Sequence, residues 1–354
     1  MAFYPKLVTD ALRTVIHPEK KTDIVTLGMV EDDIRISGNR VSFSLLFDRP
    51  NDPLVATIKQ MCADAIKRDL GPEVEIDGNI FIKIRQREQA QVPVLPNVKN
   101  VIAVASGKGG VGKSTVTANL AVALANAGCK VGLLDADIFG PSIPIMFGTE
   151  SARPCLSPNS AAGRDLIAPV EKYGVRMLSI GYFVNPDEAV IWRGGMATNA
   201  LRQLITEADW SELDYLLIDM PPGTSDIHIT TVNTIDLTGA IIVSTPQRVA
   251  LADAVKGIDM FRNEKVNVPI IGIVENMAWF TPRELPENKY FIFGEGGAKR
   301  LSEEMGVPLL AQIPIVQGIR ENGDKGTPAA LDENTMTGQA FAQLAQNVIE
   351  HTRK

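Results

Sequence analysis

A glycine-rich run around residue 110 has the residue types and spacing that bind phosphate. It fits the pattern GxxxxGK[ST] and lies between an apolar run, Val101 to Ala105, and a stretch of helical character. Glycines let the backbone wrap an anion, and N–H groups of the loop and of the helix N-terminus donate to phosphate oxygens. The pattern predicts a site for Mg-ATP formed by Gly107, Lys108, Gly109, Gly110, Val111, Gly112, Lys113, Ser114 and Thr115.

Three side chains have predicted roles in phosphate and metal chemistry. Lys113 is expected to contact the β and γ phosphates, and the Ser114 hydroxyl to ligate magnesium. Asp219 ends the apolar run LLID, where its carboxylate can hold the water shell of the metal. An aspartate at a strand end could instead only cap the next segment, but beside a phosphate loop we favour the metal role.

A second acidic pair, Asp135 and Asp137, follows another apolar run. Ligands of open parallel sheets bind at the carboxyl ends of the strands, which is where this pair is expected to lie. Asp137 is predicted to orient the attacking water. For Asp135 a purely capping role is an equal alternative, because a capping aspartate would look the same in the sequence.

The elements that must position these side chains follow an alternating pattern of apolar runs and helices. Such runs, separated by helices, are typical of parallel strands that are buried on both faces. The sequence predicts an α/β fold, a P-loop NTPase with a mostly parallel sheet covered by helices on both faces. The predicted strands are Val101–Ala105, Val131–Leu134, Tyr215–Ile218, Gly239–Ser244 and Ile270–Val274, and the predicted helix after the loop is Lys113–Ala127.

A small α+β domain is predicted to precede this fold, over residues 1–90. The pattern gives the order α-β-β-α-β. Two prolines favour an extended linker at 91–98, and the main domain is predicted over 99–354. The predicted elements of the small domain are a helix at Leu7–Val15, strands at Ile24–Val30 and Arg40–Phe47, a helix at Leu54–Leu70 and a strand at Val74–Ile84.

Composition limits the classes of function. The chain has 354 residues, of which 22% are charged and 45% hydrophobic, and a formal net charge of −7, which disfavours nucleic-acid binding. The N-terminus lacks the pattern of a secretory signal and no apolar stretch reaches membrane-spanning length, so we expect a cytoplasmic protein without membrane attachment. The three cysteines, Cys62, Cys129 and Cys155, form no CxxC pair.

Four segments together resemble one known family: GKGGVGKST at the loop, DADIFGPS from Asp135, DMPPGTSD from Asp219 and VENMAWF from Val274. They resemble the Mrp/ApbC branch of deviant Walker A ATPases, the iron-sulfur cluster carrier proteins, and the resemblance covers nearly the whole chain. The N-terminal unit, with His17-Pro18-Glu19, is similar to the MIP18-type (DUF59) domain, in which the motif usually reads Asp-Pro-Glu.

This resemblance implies roles that the residue pattern does not give. It implies an ATP-sandwiching homodimer in which Lys108 reaches the partner's nucleotide, as an arginine finger does. It also implies that Asn276 bonds the adenine with Pro314 nearby, that Asp137 and Asp226 lie in switch segments, and that apo iron-sulfur proteins are the partners. A simple turn role remains the alternative for Asn276.

The chain departs from the family at the expected cluster ligands. Carriers have a CxxC pair shortly after the Asn-Met element, which bridges a [4Fe–4S] cluster between two subunits. Here the window from Phe280 to Tyr290 contains no cysteine, and carboxylates such as Glu284 and Glu287 are poor ligands for a cluster that prefers thiolates. The ligands of a possible [4Fe–4S] cluster are therefore unknown, and Cys155, in a loop, is the weak candidate among the cysteines.

Three functions compete on the sequence. The first is an ATPase that transfers iron-sulfur clusters to apoproteins or assists their assembly, either with unfamiliar ligands or as a cluster-free scaffold. The second is a spatial organiser like MinD or ParA, which needs a basic amphipathic tail or face. The C-terminal helix, Gly338 to His351, has a polar side of mostly Gln, Asn and Glu, so we expect it to pack on its own domain. An ATP-driven electron donor is disfavoured because it too needs bridging cysteines. A further family element, Trp192-Arg193-Gly194-Gly195-Met196, has no assigned chemistry.

Overall fold

The computed structural model describes residues 4–47, 52–84, 94–160, 165–184, 194–282, 284–285 and 287–353. The chain divides into two compact units, Met1–Gln91 and Val92–Lys354. Among the described residues, the first unit has one cluster of buried apolar side chains and the second has two.

In its described residues, the first unit is a three-stranded sheet with two helices, in the order α-β-β-α-β. The elements are α1 (Pro5–Leu12), β1 (Arg35–Ser37), β2 (Arg40–Phe47), α2 (Val55–Leu70) and β3 (Ile80–Ile84). Strands β1 and β2 pair antiparallel, and β2 and β3 pair parallel. Side chains of both helices and of the sheet, among them Leu12, Phe43 and Ile58, form its buried core.

Two strand predictions in this unit need correction. The segment Ile24–Val30 is not a strand but a series of turns, because the Asp23 carboxylate accepts the Thr26 backbone N–H at 2.7 Å and Gly28 has a φ of 63°. The first strand is Arg35–Ser37 instead. Of the predicted strand Val74–Ile84 only the last five residues form a strand, and Glu75 makes an isolated bridge to Arg40. The chain turns between them at Gly78, whose φ is 81°.

The second unit is built around a long sheet. Its described strands are β4 (Val98–Ala105), β5 (Val131–Asp135), β6 (Cys155–Leu156), β7 (Ile167–Ala168), β8 (Val170–Lys172), β9 (Val175–Ser179), β10 (Leu213–Asp219), β11 (Gly239–Ser244), β12 (Ile270–Phe280) and β13 (Leu309–Ile315). The strand order among the described residues is β13-β12-β11-β4-β10-β5-β9-β8, and β6 pairs antiparallel with β7 in a separate sheet. All neighbours in the long sheet are parallel except β8 and β9, at one edge. The helices are α3 (Lys113–Asn126), α4 (Ile143–Met146), α5 (Gly194–Thr206), α6 (Asp226–Thr234), α7 (Arg248–Arg262), α8 (Gly297–Met305), α9 (Gln317–Asp324) and α10 (Met336–Thr352), with short 3₁₀ turns at Ile180–Tyr182 and Ala329–Leu331.

Helices cover both faces of this sheet, which confirms the predicted fold class. Alternate residues of β4 point to opposite faces: Ile102 and Val104 pack with α3 and α10, whereas Ala103 and Ala105 pack with α5, α7 and α8. The central strand is therefore buried on both sides, as its near-continuous apolar run predicted.

The predicted strands of the second unit are all present, and most extend further than predicted. Strand β11 has the predicted bounds, while β12 continues six residues past Val274 to Phe280. The sequence did not predict β13, at one edge of the sheet, or β9 and β8, at the other.

The C-terminal helix packs on its own domain, as expected. Its residues Phe341, Leu344 and Val348 are buried, and α10 lies against α3 and β13. Within the described part of the chain, no helix combines the length and the apolar character needed to cross a membrane.

Candidate active site

The phosphate loop lies between β4 and α3, at the carboxyl edge of the sheet. Gly110 and Gly112 have φ values of 81° and 80°, a left-handed conformation that favours glycine. A Cβ on Gly107 would lie 2.1 Å from the backbone oxygen of Asp253, so no side chain fits there. The loop conformation therefore depends on glycine at the positions that the pattern requires.

Four side chains meet at the start of α3. The Lys113 ammonium lies 2.8 Å from Asp219 Oδ2, and Ser114 Oγ donates to the same oxygen at 2.6 Å. Thr117 Oγ1 donates to Asp219 Oδ1 at 2.6 Å. Lys113 is only 6% exposed and Asp219 is fully buried. The buried Asp219 carboxylate is thus paired with the Lys113 ammonium and accepts hydrogen bonds at both oxygens.

The acidic pair after β5 lies beside this cluster. Asp135 is fully buried and its Oδ2 accepts from Ser179 Oγ at 3.0 Å and from the Ile143 N–H, the first residue of α4, at 3.3 Å. Burial raises the pKa of Asp135 to about 7, and the nearby charge of Asp219 adds to the effect. The bond to Ile143 is the contact that the capping alternative expects.

Asp137 has a different environment from Asp135. It is half-buried and lines a cavity of about 230 Å³ together with the phosphate loop, Lys108, Ser142 and Pro222. Burial raises the pKa of Asp137, while the positive charge of Lys113 opposes this shift. Asp137 can therefore meet a ligand in this cavity, whereas the carboxylate of Asp135 is engaged by protein donors.

Magnesium fits the oxygen atoms of this site. Ser114 Oγ and the Asp219 carboxylate are hard donors 2.6 Å apart beside the loop, and Mg²⁺ commonly uses one or two protein oxygens together with waters and substrate phosphates. Over the described ranges, no group of three or more His, Cys, Asp or Glu side chains is arranged to hold a metal ion by itself. A metal here would depend on a nucleotide for the rest of its ligands.

A larger cavity of about 570 Å³ lies next to the phosphate loop and has a mostly apolar lining. Asn276 Nδ2 donates to the Val111 carbonyl oxygen at 2.8 Å, which fixes this side chain between the loop and the cavity. Residues of α4, β13 and α9 complete the walls. The volume and lining suit a base and a ribose. Members of the lining include Gly112, Thr115, Ile145, Met146, Asn276, Met277, Ile292, Phe293, Pro314, Ile315 and Ile319.

The loop that follows β12, residues 281–296, stands where the family carries its thiolates. Phe280 and Tyr290 exchange two backbone hydrogen bonds of 2.8 Å, which close its first part. Its carboxylates Glu284 and Glu287 are exposed, as are the apolar side chains of Leu285 and Ile292. The Lys289 ammonium lies 4.2 Å from the centre of the Trp279 ring.

The three cysteines lie in unrelated positions. Cys62 is buried in the core of the first unit, and burial raises the pKa of its thiol to about 12. Cys129 is half-buried after α3, and Cys155 is exposed in the β6 strand. They do not form the set of thiolates that a [4Fe–4S] cluster requires.

His17 explains how the first unit tolerates the change from aspartate. It is buried, and its Nδ1 accepts the backbone N–H groups of Glu19 and Lys20, both at 3.2 Å. A carboxylate at this position can accept the same donors, so the imidazole replaces it as a cap of this turn.

Two residues near the site were not predicted from the sequence. Thr117 is one helical turn after Lys113 and so shares its face, a spacing that could have indicated it. His228 is fully buried at the start of α6, where its Nδ1 accepts the Ser225 N–H, and burial lowers its pKa to about 4. Nothing in the spacing of His228 indicated this contact.

Two residues of the family element at 192–196, Trp192 and Arg193, lie outside the described part of the structure. Met196, from the same element, lies in α5 and is exposed. Asp226 begins α6, but its side chain is not described.

The fold and the loop geometry define a P-loop NTPase. The family described as "ParA: NUBPL iron-transfer P-loop NTPase" matches residues 97–349, and "Iron-sulfur cluster assembly protein" matches residues 6–77. The chain belongs to the NUBPL iron-transfer P-loop NTPases. It is 42% identical over 353 residues to the iron-sulfur cluster carrier protein of Synechocystis sp., with 97% of each chain covered. It is also 42% identical to the protein of that name from Escherichia coli, covering 97% of this chain and 90% of that one.

Solved structures agree with this assignment. A nucleotide-binding protein from Archaeoglobus fulgidus in complex with ADP is 39% identical, with a TM-score of 0.56. The match covers 66% of this chain and 88% of the Archaeoglobus chain. The cell division ATPase MinD from Pyrococcus furiosus is 26% identical, with a TM-score of 0.52, and covers 71% of this chain and 99% of its own. The predicted family and its relation to MinD-like ATPases are thus confirmed.

Proposed function

We propose that this protein binds and hydrolyses ATP and uses it in the transfer of iron-sulfur clusters to apoproteins. The observation that carries the proposal is that the likeness to proteins named iron-sulfur cluster carriers runs through 97% of the chain, including a complete phosphate loop. The division into a MIP18-like domain (1–90), a linker (91–98) and an ATPase domain (99–354) belongs to the same proposal, and so does a cytoplasmic location.

The geometry of the phosphate loop supports the proposed residue roles. Lys113 neutralises charge on the β and γ phosphates. The phosphates are surrounded by the loop and its N–H groups, including Gly107, Gly109, Gly110 and Thr115. Mg²⁺, held by Ser114 and through water by Asp219, would neutralise charge that develops on the phosphates. Asp137, half-buried at the same cavity as Lys108, orients the attacking water. Asn276 and Pro314 hold the adenine in the larger cavity.

A homodimer that encloses two nucleotides completes this proposal. Lys108 then supplies a positive charge to the partner's phosphates. Exposed apolar side chains near the loop support a protein contact there: Phe139 and Val249 are each 65% exposed, the latter on α7, whose Asp253 abuts Gly107. Size-exclusion chromatography should show an ATP-dependent dimer for the wild type and a monomer for Lys108→Ala.

In this proposal the iron-sulfur cluster is cargo, and an experiment can identify which residues bind it. The experiment is anaerobic reconstitution with iron and sulfide, with both elements counted per dimer and the visible spectrum recorded. Wild type, Cys155→Ser and a variant without all three cysteines are compared, with Cys62→Ser as the matched control for a buried thiol. Cluster bound by the wild type and lost with Cys155 would make this chain a carrier with relocated ligands.

A second form of the function is favoured by the placement of the cysteines. In this form the chain is a cluster-free ATPase scaffold, and a protein partner supplies the thiolates. No cluster should then bind to any variant, yet ATP should accelerate transfer from a cluster-loaded scaffold protein to an apoprotein. If ATP changes the transfer rate in neither setting, the proposed function is wrong.

The spatial-organiser alternative has less support. It needs an amphipathic element that is free to meet a membrane, and α10 buries its apolar side against α3 and β13. Vesicle or DNA pelleting that depends on ATP would favour it over cluster transfer.

A further inference from the structure

A carboxylate that no predicted role explains lies beside the base cavity. Glu275 is the residue before Asn276 on β12 and is fully buried. Successive side chains of a strand point to opposite faces, so Glu275 faces away from the phosphate loop to which Asn276 bonds. It cannot touch a nucleotide in the cavity.

Two protein groups hold this carboxylate. Glu275 Oε1 accepts the backbone N–H of Ala298, in the first turn of α8, at 2.9 Å. Glu275 Oε2 accepts the side-chain amide of Gln312, its direct neighbour on β13, at 2.5 Å. No Lys, Arg or His among the described residues forms an ion pair with it within 4 Å.

Burying the Glu275 carboxylate without a cation carries a free-energy penalty of desolvation. Its charge is compensated here by the N-terminus of α8 and by an amide, and an apolar side chain would avoid the cost of desolvation. The two bonds therefore point to a role beyond packing, namely fixing the elements from which the donors come.

Three segments that line the base cavity lie close to these groups. Asn276 is adjacent to Glu275 on β12, and Pro314 follows Gln312 by two residues on β13. The third segment, at Phe293, precedes Ala298 by five residues. Each of these three segments is thus within five residues of Glu275 or of a group that it binds, while α4 and α9 line other parts of the cavity.

The connection from Ala298 back to Phe293 is short, because only four residues separate them. A Cβ on Gly297 would lie 2.5 Å from the Pro246 carbonyl oxygen, so the start of α8 packs closely on the backbone ahead of α7. A shift of the helix start would move Phe293 and Ile292 in the cavity.

We propose that Glu275 is a positioning residue for the nucleotide base: without touching the ligand, its carboxylate holds together three of the chain segments that line the base cavity. The inference rests on the proposed function, because it takes the base of ATP or ADP as the occupant of this cavity. Loss of Glu275 should weaken recognition of the base and leave recognition of the phosphates unchanged.

The experiment compares two ligands by isothermal titration with Mg²⁺ present: ADP, which uses both cavities, and inorganic tripolyphosphate, which uses only the phosphate loop. Glu275→Ala should weaken ADP binding about tenfold, since two hydrogen bonds to a charged acceptor are lost. Tripolyphosphate binding should change less than about twofold. Glu304→Ala, on the exposed side of α8, is the matched control and should change neither.

A swapped pair adds a rescue. Gln312→Glu alone places two carboxylates side by side and should weaken ADP binding, whereas Glu275→Gln with Gln312→Glu keeps a donor and an acceptor at both positions. This double variant should regain ADP affinity to within about threefold of the wild type. If Glu275→Ala does not fold, Gln312→Ala, which changes an exposed side chain, takes its place with an ADP loss of about threefold.

Two outcomes would overturn the inference: unchanged ADP binding in Glu275→Ala or its substitute, and an equal loss for ADP and tripolyphosphate, which would indicate only a general structural role. Wild type that binds neither ligand is a separate result, and it would contradict the proposed function instead.

Discussion

The phosphate loop and the loop at 281–296 both lie at the carboxyl edge of the same sheet, but they are constrained very differently. Around the phosphate loop, Lys113, Ser114 and Thr117 all bond to the buried Asp219, and a side chain at Gly107 would collide with α7. The loop at 281–296 is closed by one backbone pair and exposes Glu284, Leu285, Glu287 and Ile292.

The two loops differ in how many contacts a replaced residue would disturb. A replacement in the phosphate loop would disturb several contacts that depend on one another, so fold and ligand binding change together. Exposed loop positions make few contacts, so cysteines there could be replaced at little cost to the fold. The presence of the phosphate site therefore says little about whether the loop still binds a cluster.

The largest expected effect is that of Lys113→Ala. Turnover of ATP should fall about 10³-fold, because a preorganised positive charge on the phosphates is lost. The rate of phosphate release measures turnover. The control is Lys130→Ala, which changes an exposed lysine just before β5 that pairs with Glu212. Circular dichroism should show a folded but less stable protein, since Asp219 loses its cation. Turnover near that of the wild type would show that the site is misassigned.

Lys108→Ala should have the next largest effect. If this lysine acts on the partner's nucleotide, turnover should fall about 10²-fold while ATP still binds, because its charge acts on the transition state. Turnover and equilibrium binding of a fluorescent ATP analogue separate the two effects. If Lys108→Ala still forms the dimer and hydrolyses ATP at the wild-type rate, Lys108 does not act on the partner's nucleotide.

Thr117→Val tests the packing of the phosphate site rather than its chemistry. It removes a hydroxyl from a buried carboxylate and should lower the free energy of unfolding by about 1–3 kcal/mol. Urea denaturation measures the loss. Thr9→Val, whose hydroxyl bonds the Pro5 carbonyl at an exposed site, should cost much less. Equal costs would mean that the bond to Asp219 contributes nothing special.

The smallest effect is expected in the other loop. Replacing both Glu284 and Glu287 by Ala should leave turnover and any cluster binding within about twofold of the wild type, since exposed carboxylates are poor ligands for a cluster. Turnover and anaerobic reconstitution are the measurements. A large loss of either would show that this loop keeps a chemical role without thiolates.

Sequence patterns predicted the main sheet better than the first unit, for a physical reason. Doubly buried parallel strands such as β11 are apolar along their length, so their bounds can be read from the sequence. The segment Ile24–Val30 is apolar enough for a strand, but side-chain bonds of Asp23 and the left-handed Gly28 turn it back on itself. Such local competition is not visible in hydrophobic patterning.

Residue types and their spacing along the chain are enough to identify a phosphate loop, two flanking acidic segments and the lack of a CxxC pair. Which of these groups meet depends on the packing of the folded chain. Asp219 takes three donors from α3, and Asp135 is engaged by α4 and β9 while Asp137 faces the cavity. Glu275 joins three segments that line the base cavity. Such contacts join residues up to about a hundred positions apart, and their distances follow from how the strands and helices pack.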